Sequence, residues 1–150
     1  MNIKKNISGI KNVTFRGNVE IIEPVNIYGC DIGENCFIGP FVEIQQNVTI
    51  GKNTRIQSHS FLCEMTNVGE DCFIGHGVMF INDVFKEGKL AGGDKSKWKQ
   101  TNIGNNVLIG SNSTILPVNI CDNVVIGAGS VVTKNIYDPG VYYGNPVIKK

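Results

Sequence analysis

A large apolar residue recurs at every sixth position from Ile32 onward, through Ile38, Ile44, Ile50, Ile56, Leu62, Val68, Ile74 and Phe80. The series stops there, resumes at Ile103, Ile109 and Ile115, and after one five-residue step runs on through Ile120, Ile126 and Val132. Upstream, Phe15, Ile21 and Ile27 keep the spacing, with one five-residue step before Ile32. An α-helix cannot hold such a column on one face, because its period of 3.6 residues carries successive members around the axis. Short strands, each ending in a corner, can hold it. Three strands of six residues close a triangular coil of about 18, so the spacing predicts an all-β, single-stranded parallel β-helix of about six coils.

Sorted by side, the column gives three stacks. Phe15, Ile32, Ile50, Val68, Ile103 and Ile120 form the first; Ile21, Ile38, Ile56, Ile74, Ile109 and Ile126 the second; Ile27, Ile44, Leu62, Phe80, Ile115 and Val132 the third. Three residues past each first-side position stand Asn35, Asn53, Asp71, Asn106 and Asn123. Asn and Asp best tolerate the left-handed backbone of a tight turn, so this edge reads as corner geometry, with Gly33, Gly51, Gly69 and Gly104 leading into it. The second corner instead shows Pro40, Ser58, His76, Ser111 and Ala128, with His59 and Asn112 one step further. It varies where the first does not, so function is expected beside it.

One interruption is long. A six-residue step from Phe80 would reach position 86, yet the next column residue, Ile103, comes 17 residues later. The intervening stretch, NDVFKEGKLAGGDKSKWKQT, is polar and rich in Gly and Lys, which predicts an extruded loop over residues 83–100. Within it Trp98 needs a surface to cover, on its own prism or on a neighbour. Residues 136–150 follow the last coil as a short extension expected to fold over one end of the prism.

The chain has 150 residues, suited to a single domain, and a formal net charge of +1, which leaves no broad footprint for nucleic acid or an anionic membrane. The N-terminal MNIKKNISGIKNV contains no apolar run of the length a leader or membrane span needs, so a cytoplasmic protein is expected. Five cysteines, an odd number without a CxxC pair, suit reduced thiols.

The repeat resembles that of the hexapeptide-repeat acyltransferases, whose parallel β-helix is left-handed; that hand is implied by the resemblance, since parallel crossovers are otherwise right-handed. In that family Cys30, Cys36 and Cys72, each two residues before a column position, would be inward core filler. The segments CFIGHGVMFIND, GDKSKWKQTNIG, VLIGSNSTILPV, VVIGAGSVVTKNI and the terminal GNP resemble the branch that N-acetylates nucleotide-linked amino sugars. Within it they are most similar to enzymes acting on dTDP-linked 3-amino-3,6-dideoxyhexoses, precursors of surface glycans. The resemblance implies acetyl-CoA as co-substrate and a homotrimer with active sites between adjacent prisms. The chain departs from the pattern at Val84-Phe85-Lys86, where relatives carry an aromatic residue and a proline, and at Cys121, where glycine is usual.

Acetyl transfer from a thioester needs a nucleophile with a lone pair, a proton acceptor and donors for the oxyanion. His76, at a corner, is the candidate base or orienting group, histidine being the side-chain type suited to proton exchange near neutral pH. Asn82 and Asp83, at the next corner, are candidate catalytic residues that hold the amine, and Glu64 and Trp98 are candidates to contact the acceptor. Gly110, Ser111 and Ala128 line the expected path of CoA, and Lys134 is a candidate for its phosphates. Two histidines are too few for the three-histidine metal site found on this fold, so no metal is expected. Ser111 and Ser130 lack a base and acid that would make either a nucleophile. An O-acetyltransferase and a non-catalytic assembly subunit remain as alternatives.

Overall fold

The computed structural model describes all 150 residues, and the column positions pair as the six-residue period requires. On the first face Phe15, Ile32, Ile50, Val68, Ile103 and Ile120 stand in parallel register in six strands, from Thr14–Phe15 to Asn119–Ile120. The second face aligns Ile21, Ile38, Ile56, Ile74, Ile109 and Ile126 in the same way. The chain is a left-handed parallel β-helix. Its third face has seven strands, one more than the spacing predicts, because Ile10–Lys11 pairs below Asn26–Tyr28. The period missed that strand because Ile10 lies five residues, not six, before Phe15.

The column is half of the core. The position two residues earlier also points inward and is filled by small side chains: Val25, Val42, Val48, Val78, Val107, Val118 and Val124, and the expected Cys30, Cys36 and Cys72, all buried. Three polar members of this second layer bond to corner carbonyls, which offsets the cost of burying a hydroxyl, whereas the buried Thr101 Oγ1 has no partner. Thr54 Oγ1 donates to Gly69 O (2.9 Å), Ser60 Oγ to Gly75 O (2.7 Å) and Ser113 Oγ to Gly110 O (2.8 Å). Cys36 and Cys72 thiols donate to Gly51 O and Gly104 O, both at 3.1 Å. Burial pushes the Cys30 thiol up to about 11, so it stays protonated and unreactive.

Corners divide their needs between two residues. Asn35, Asn53, Asp71, Asn106 and Asn123 take the left-handed backbone, with φ between 53° and 62°. The glycines before them serve stacking instead: a Cβ on Gly69 would lie 2.4 Å from Gly104 O of the next coil. Side chains on the first face form a ladder, with Thr49, Asn67, Asn102 and Asn119 hydrogen-bonded in sequence at 2.7, 2.9 and 2.8 Å.

The C-terminal extension continues the second face. Gly140–Gly144 pairs in parallel with Val124–Ile126, Val147–Lys149 folds back antiparallel, and Tyr142 and Val147 pack on the core. At the other end Ile10 and Phe15 stay exposed. No helix is long and apolar enough to cross a membrane.

Candidate functional site

The second edge, between the second and third faces, carries one residue per coil in the left-handed region: Phe41, His59, Gly77, Asn112 and Gly129, with φ of 60–68°. The residue before each left-handed position projects at the corner, and this places His76 outside the prism, exposed. Its ring is held from the next coil: Nδ1 lies 3.4 Å from Ser111 Oγ, and the same hydroxyl accepts from the His76 backbone N–H at 3.2 Å. Nε2 has no partner in the chain. A hydroxyl on one ring nitrogen and a free second nitrogen is the arrangement that lets an imidazole hold or take a proton.

Toward the C-terminus the same edge is small and open. Ser111 and Ala128 have backbone N–H groups without an acceptor in the chain, while Gly129 N donates to Ser111 O at 2.8 Å. Gly110 is required by the coil itself, since a Cβ there would stand 2.4 Å from Ala128 N. A Cβ on Gly129 would meet nothing within 4 Å, so the edge leaves room for a chain to run along it. Lys134 is exposed and pairs with no carboxylate.

The remaining candidates gather at the third edge, under the extruded loop. Asn82 Nδ2 donates to Glu64 O at 3.0 Å, which fixes the amide and leaves Oδ1 as its free acceptor. Both Asp83 oxygens accept backbone N–H groups of the loop, from Phe85 at 3.0 Å and Ala91 at 2.9 Å. The Glu64 side chain, 7% exposed, accepts from Lys95 Nζ (2.7 Å), Asn47 (3.0 Å) and Gln46 (3.2 Å). Burial alone would push the Glu64 carboxyl up; the bonds from Lys95, Asn47 and Gln46 outweigh it and hold the group below the usual range. Trp98 covers its own prism: with Phe85, Leu90, Phe61, Phe80 and Asn82 it lines a largely apolar cavity of about 420 Å³.

The structure therefore brings Asn82, Asp83, Glu64 and Trp98 together and sets His76 apart. Six residues of extended chain, at about 3.3 Å each, put His76 and Asn82 roughly 20 Å apart across the third face. Lys95, Gln46 and Asn47 escaped the sequence reading: Lys95 reaches Glu64 from the loop, outside the repeat, whereas Gln46 and Asn47 lie one coil from Glu64, a spacing that could have found them.

Profiles of known families match at both ends of the repeat: "Bacterial transferase hexapeptide (six repeats)" over residues 29–63 and "Hexapeptide repeat of succinyl-transferase" over residues 100–134. With the coil geometry, they show that the repeat is of the hexapeptide-transferase type in both stretches. A curated relative, the bifunctional protein GlmU of Baumannia cicadellinicola, is 38% identical over 109 residues, which cover 72% of this chain and 21% of that protein. The chain thus spans about a fifth of that relative's length. Among solved structures, a galactoside acetyltransferase in complex with coenzyme A is 30% identical, with a TM-score of 0.62, over 92% of this chain and 64% of that one. The perosamine N-acetyltransferase of Caulobacter crescentus, solved as a histidine-to-asparagine variant with CoA and GDP-perosamine, shares the fold at a TM-score of 0.67 and 18% identity, over 92% and 57%.

Proposed function

We propose that the chain is an acetyl-CoA-dependent N-acetyltransferase acting on a nucleotide-linked amino sugar, most specifically a dTDP-3-amino-3,6-dideoxyhexose, in surface-glycan precursor synthesis. The observation that carries this is the His76 edge: an exposed imidazole anchored by Ser111, with the unpaired N–H groups of Ser111 and Ala128 on the coils directly above. The neutral amine of the acceptor attacks the thioester carbonyl. The C–N bond forms, negative charge gathers on the carbonyl oxygen against those N–H donors, and the C–S bond then breaks. His76 Nε2 holds or takes the amine proton, and the departing thiolate accepts it in the end. CoA runs toward the C-terminus past Gly110, Ser111 and Ala128, and Lys134 lies near the far coils for its phosphates.

Asn82 and Asp83, roughly 20 Å from His76, are too far to join it within one prism, so the reading places the reaction between subunits of a homotrimer, where one prism's histidine edge meets the neighbour's loop. Oδ1 of Asn82 then receives an N–H of the amine, and Asp83 keeps the loop in place. The outward side chains favour this. Phe73, Leu108, Val125 and Val141 form an apolar stripe on the second face, and on the third Phe61 and Met79 stand in register, with Thr114 between Met79 and Val131, so the second face above all suits burial.

A hydroxyl acceptor is the second reading, favoured by the 30% identity to galactoside acetyltransferase. An alcohol needs a stronger base than an amine, and the resemblance implies a histidine just after the Met79–Phe80 strand in hydroxyl-acetylating enzymes, where this chain has Val84 and Phe85 in the neighbourhood instead. The test is kcat/KM for the dTDP-linked 3-amino sugar against the matched sugar with a hydroxyl at that carbon. The proposal expects a clear preference for the amine. Equal values or a preference for the alcohol overturn it, and failure of acetyl-CoA to raise the melting temperature points to a non-catalytic subunit.

A further inference from the structure

Phe41 has no evident reason to be a phenylalanine. It stands at the left-handed corner position, φ 62°, where other coils of the same edge use glycine, asparagine or histidine, and a bulky residue there is a backbone outlier. Its ring is not buried in compensation, being 57% exposed. What it does instead is stack: the rings of Phe41 and His59, one coil apart, lie 4.9 Å between centroids at 29°. Phe41 also lines a cavity of about 320 Å³ with Pro24, Asn26 and Glu43. There Glu43 accepts from Asn26 at 3.1 Å and from Gln45 at 3.3 Å, which sets carboxylate oxygens on the wall.

We propose that Phe41, backed by His59, is a stacking platform for the nucleobase of the acceptor's nucleoside diphosphate. The inference rests on the acetyltransferase reading and adds a recognition site that it did not contain. Direction along the edge assigns the occupant. The open path past Ser111 and Ala128 lies on the C-terminal side of His76, so the acyl donor occupies that side. Phe41 and His59 lie on the N-terminal side, and the corner position of Phe41 is two coils from Gly77, about 10 Å at the spacing of parallel strands. A diphosphate and two sugar rings bridge that separation, leaving the amine at His76. A planar base gains stacking on the exposed ring, and a base with a ring N–H finds an acceptor at Glu43.

The test uses Phe41→Asn, which removes the ring while asparagine accepts the left-handed backbone. Titration calorimetry with dTDP, on protein saturated with CoA, should show dTDP affinity weakened about 5- to 150-fold, the range given by loss of one base–aromatic stack. CoA affinity should not change, and Phe41→Trp should retain dTDP binding. The melting temperature of Phe41→Asn should rise, by about 2–4 °C, because strain is relieved. A platform with a merely structural role would instead lower it. Unchanged dTDP affinity in Phe41→Asn overturns the proposal, as does wild-type protein that binds CoA but not dTDP; both leave acetyl transfer standing. Parallel loss of CoA affinity assigns the ring to the donor's adenine and also overturns it. Wild-type protein that binds neither ligand sinks the underlying acetyltransferase reading as well.

Discussion

His76 and His59 sit one coil apart on the same edge, yet different neighbours hold them: a serine hydroxyl against Nδ1 in one case, a phenylalanine ring in the other. Only the first arrangement leaves a nitrogen poised over the open stretch of edge. His76→Ala should therefore lower kcat by about ten- to 10⁴-fold, the upper part being what a general base supplies. His59→Ala should act chiefly on KM for the acceptor. Steady-state kinetics with the amino-sugar acceptor separates the two, and a His76→Ala enzyme with wild-type kcat would assign the proton to another group. His76 was legible in the sequence because it obeys the repeat: once the column is fixed, its corner and its outward direction follow. The inward hydroxyls of Thr54, Ser60 and Ser113 obey the same repeat, and were passed over only because polar residues do not look like core until their glycine carbonyl partners are seen.

At the scale of elements, the loop over residues 83–100 is fastened at three points: Asp83 on two backbone N–H groups, Asn82 on the Glu64 carbonyl, and Lys95 on the Glu64 carboxylate. None of these was legible beforehand. A loop outside the repeat places its side chains by contacts that only the folded chain defines, and so Asn82, Asp83 and Glu64 could be picked out as polar groups near a corner but not assigned a partner. Glu64 makes the fastening sensitive to acid. Its carboxyl lies below its ordinary value in the folded chain, so its stabilising contribution is complete above the unfolded value of about 4.3 and is lost as pH falls through the lower folded one. The sole tryptophan, Trp98, reports on this loop. Its emission should change in an acid step below about pH 4.3, and Glu64→Gln should remove that step. An identical titration in the variant would show that the carboxylate does not hold the loop.

On the scale of the whole molecule, the second face carries an apolar stripe from Phe73 to Val141, the third is mixed, and the first is a hydrogen-bonded ladder of Thr49, Asn67, Asn102 and Asn119. A trimer that packs the two faces flanking His76 leaves the ladder in water. Light scattering at micromolar concentration should give three times 16.4 kDa. Leu108→Glu, on the second face, should lower the mass and abolish turnover together, while Asn102→Ala should do neither. A monomer with full turnover would place the whole site in one prism. The constant register of the second edge also makes it a ruler. Phe41, His59 and Gly77 share one position of the coil, so any two groups displayed there are separated by whole rungs of about 4.8 Å and by nothing in between. An enzyme of this build that selects acceptors by reach can do so only in such steps. Moving an aromatic ring by 18 residues, one corner up or down, changes the length it measures by one rung and disturbs nothing else in the prism.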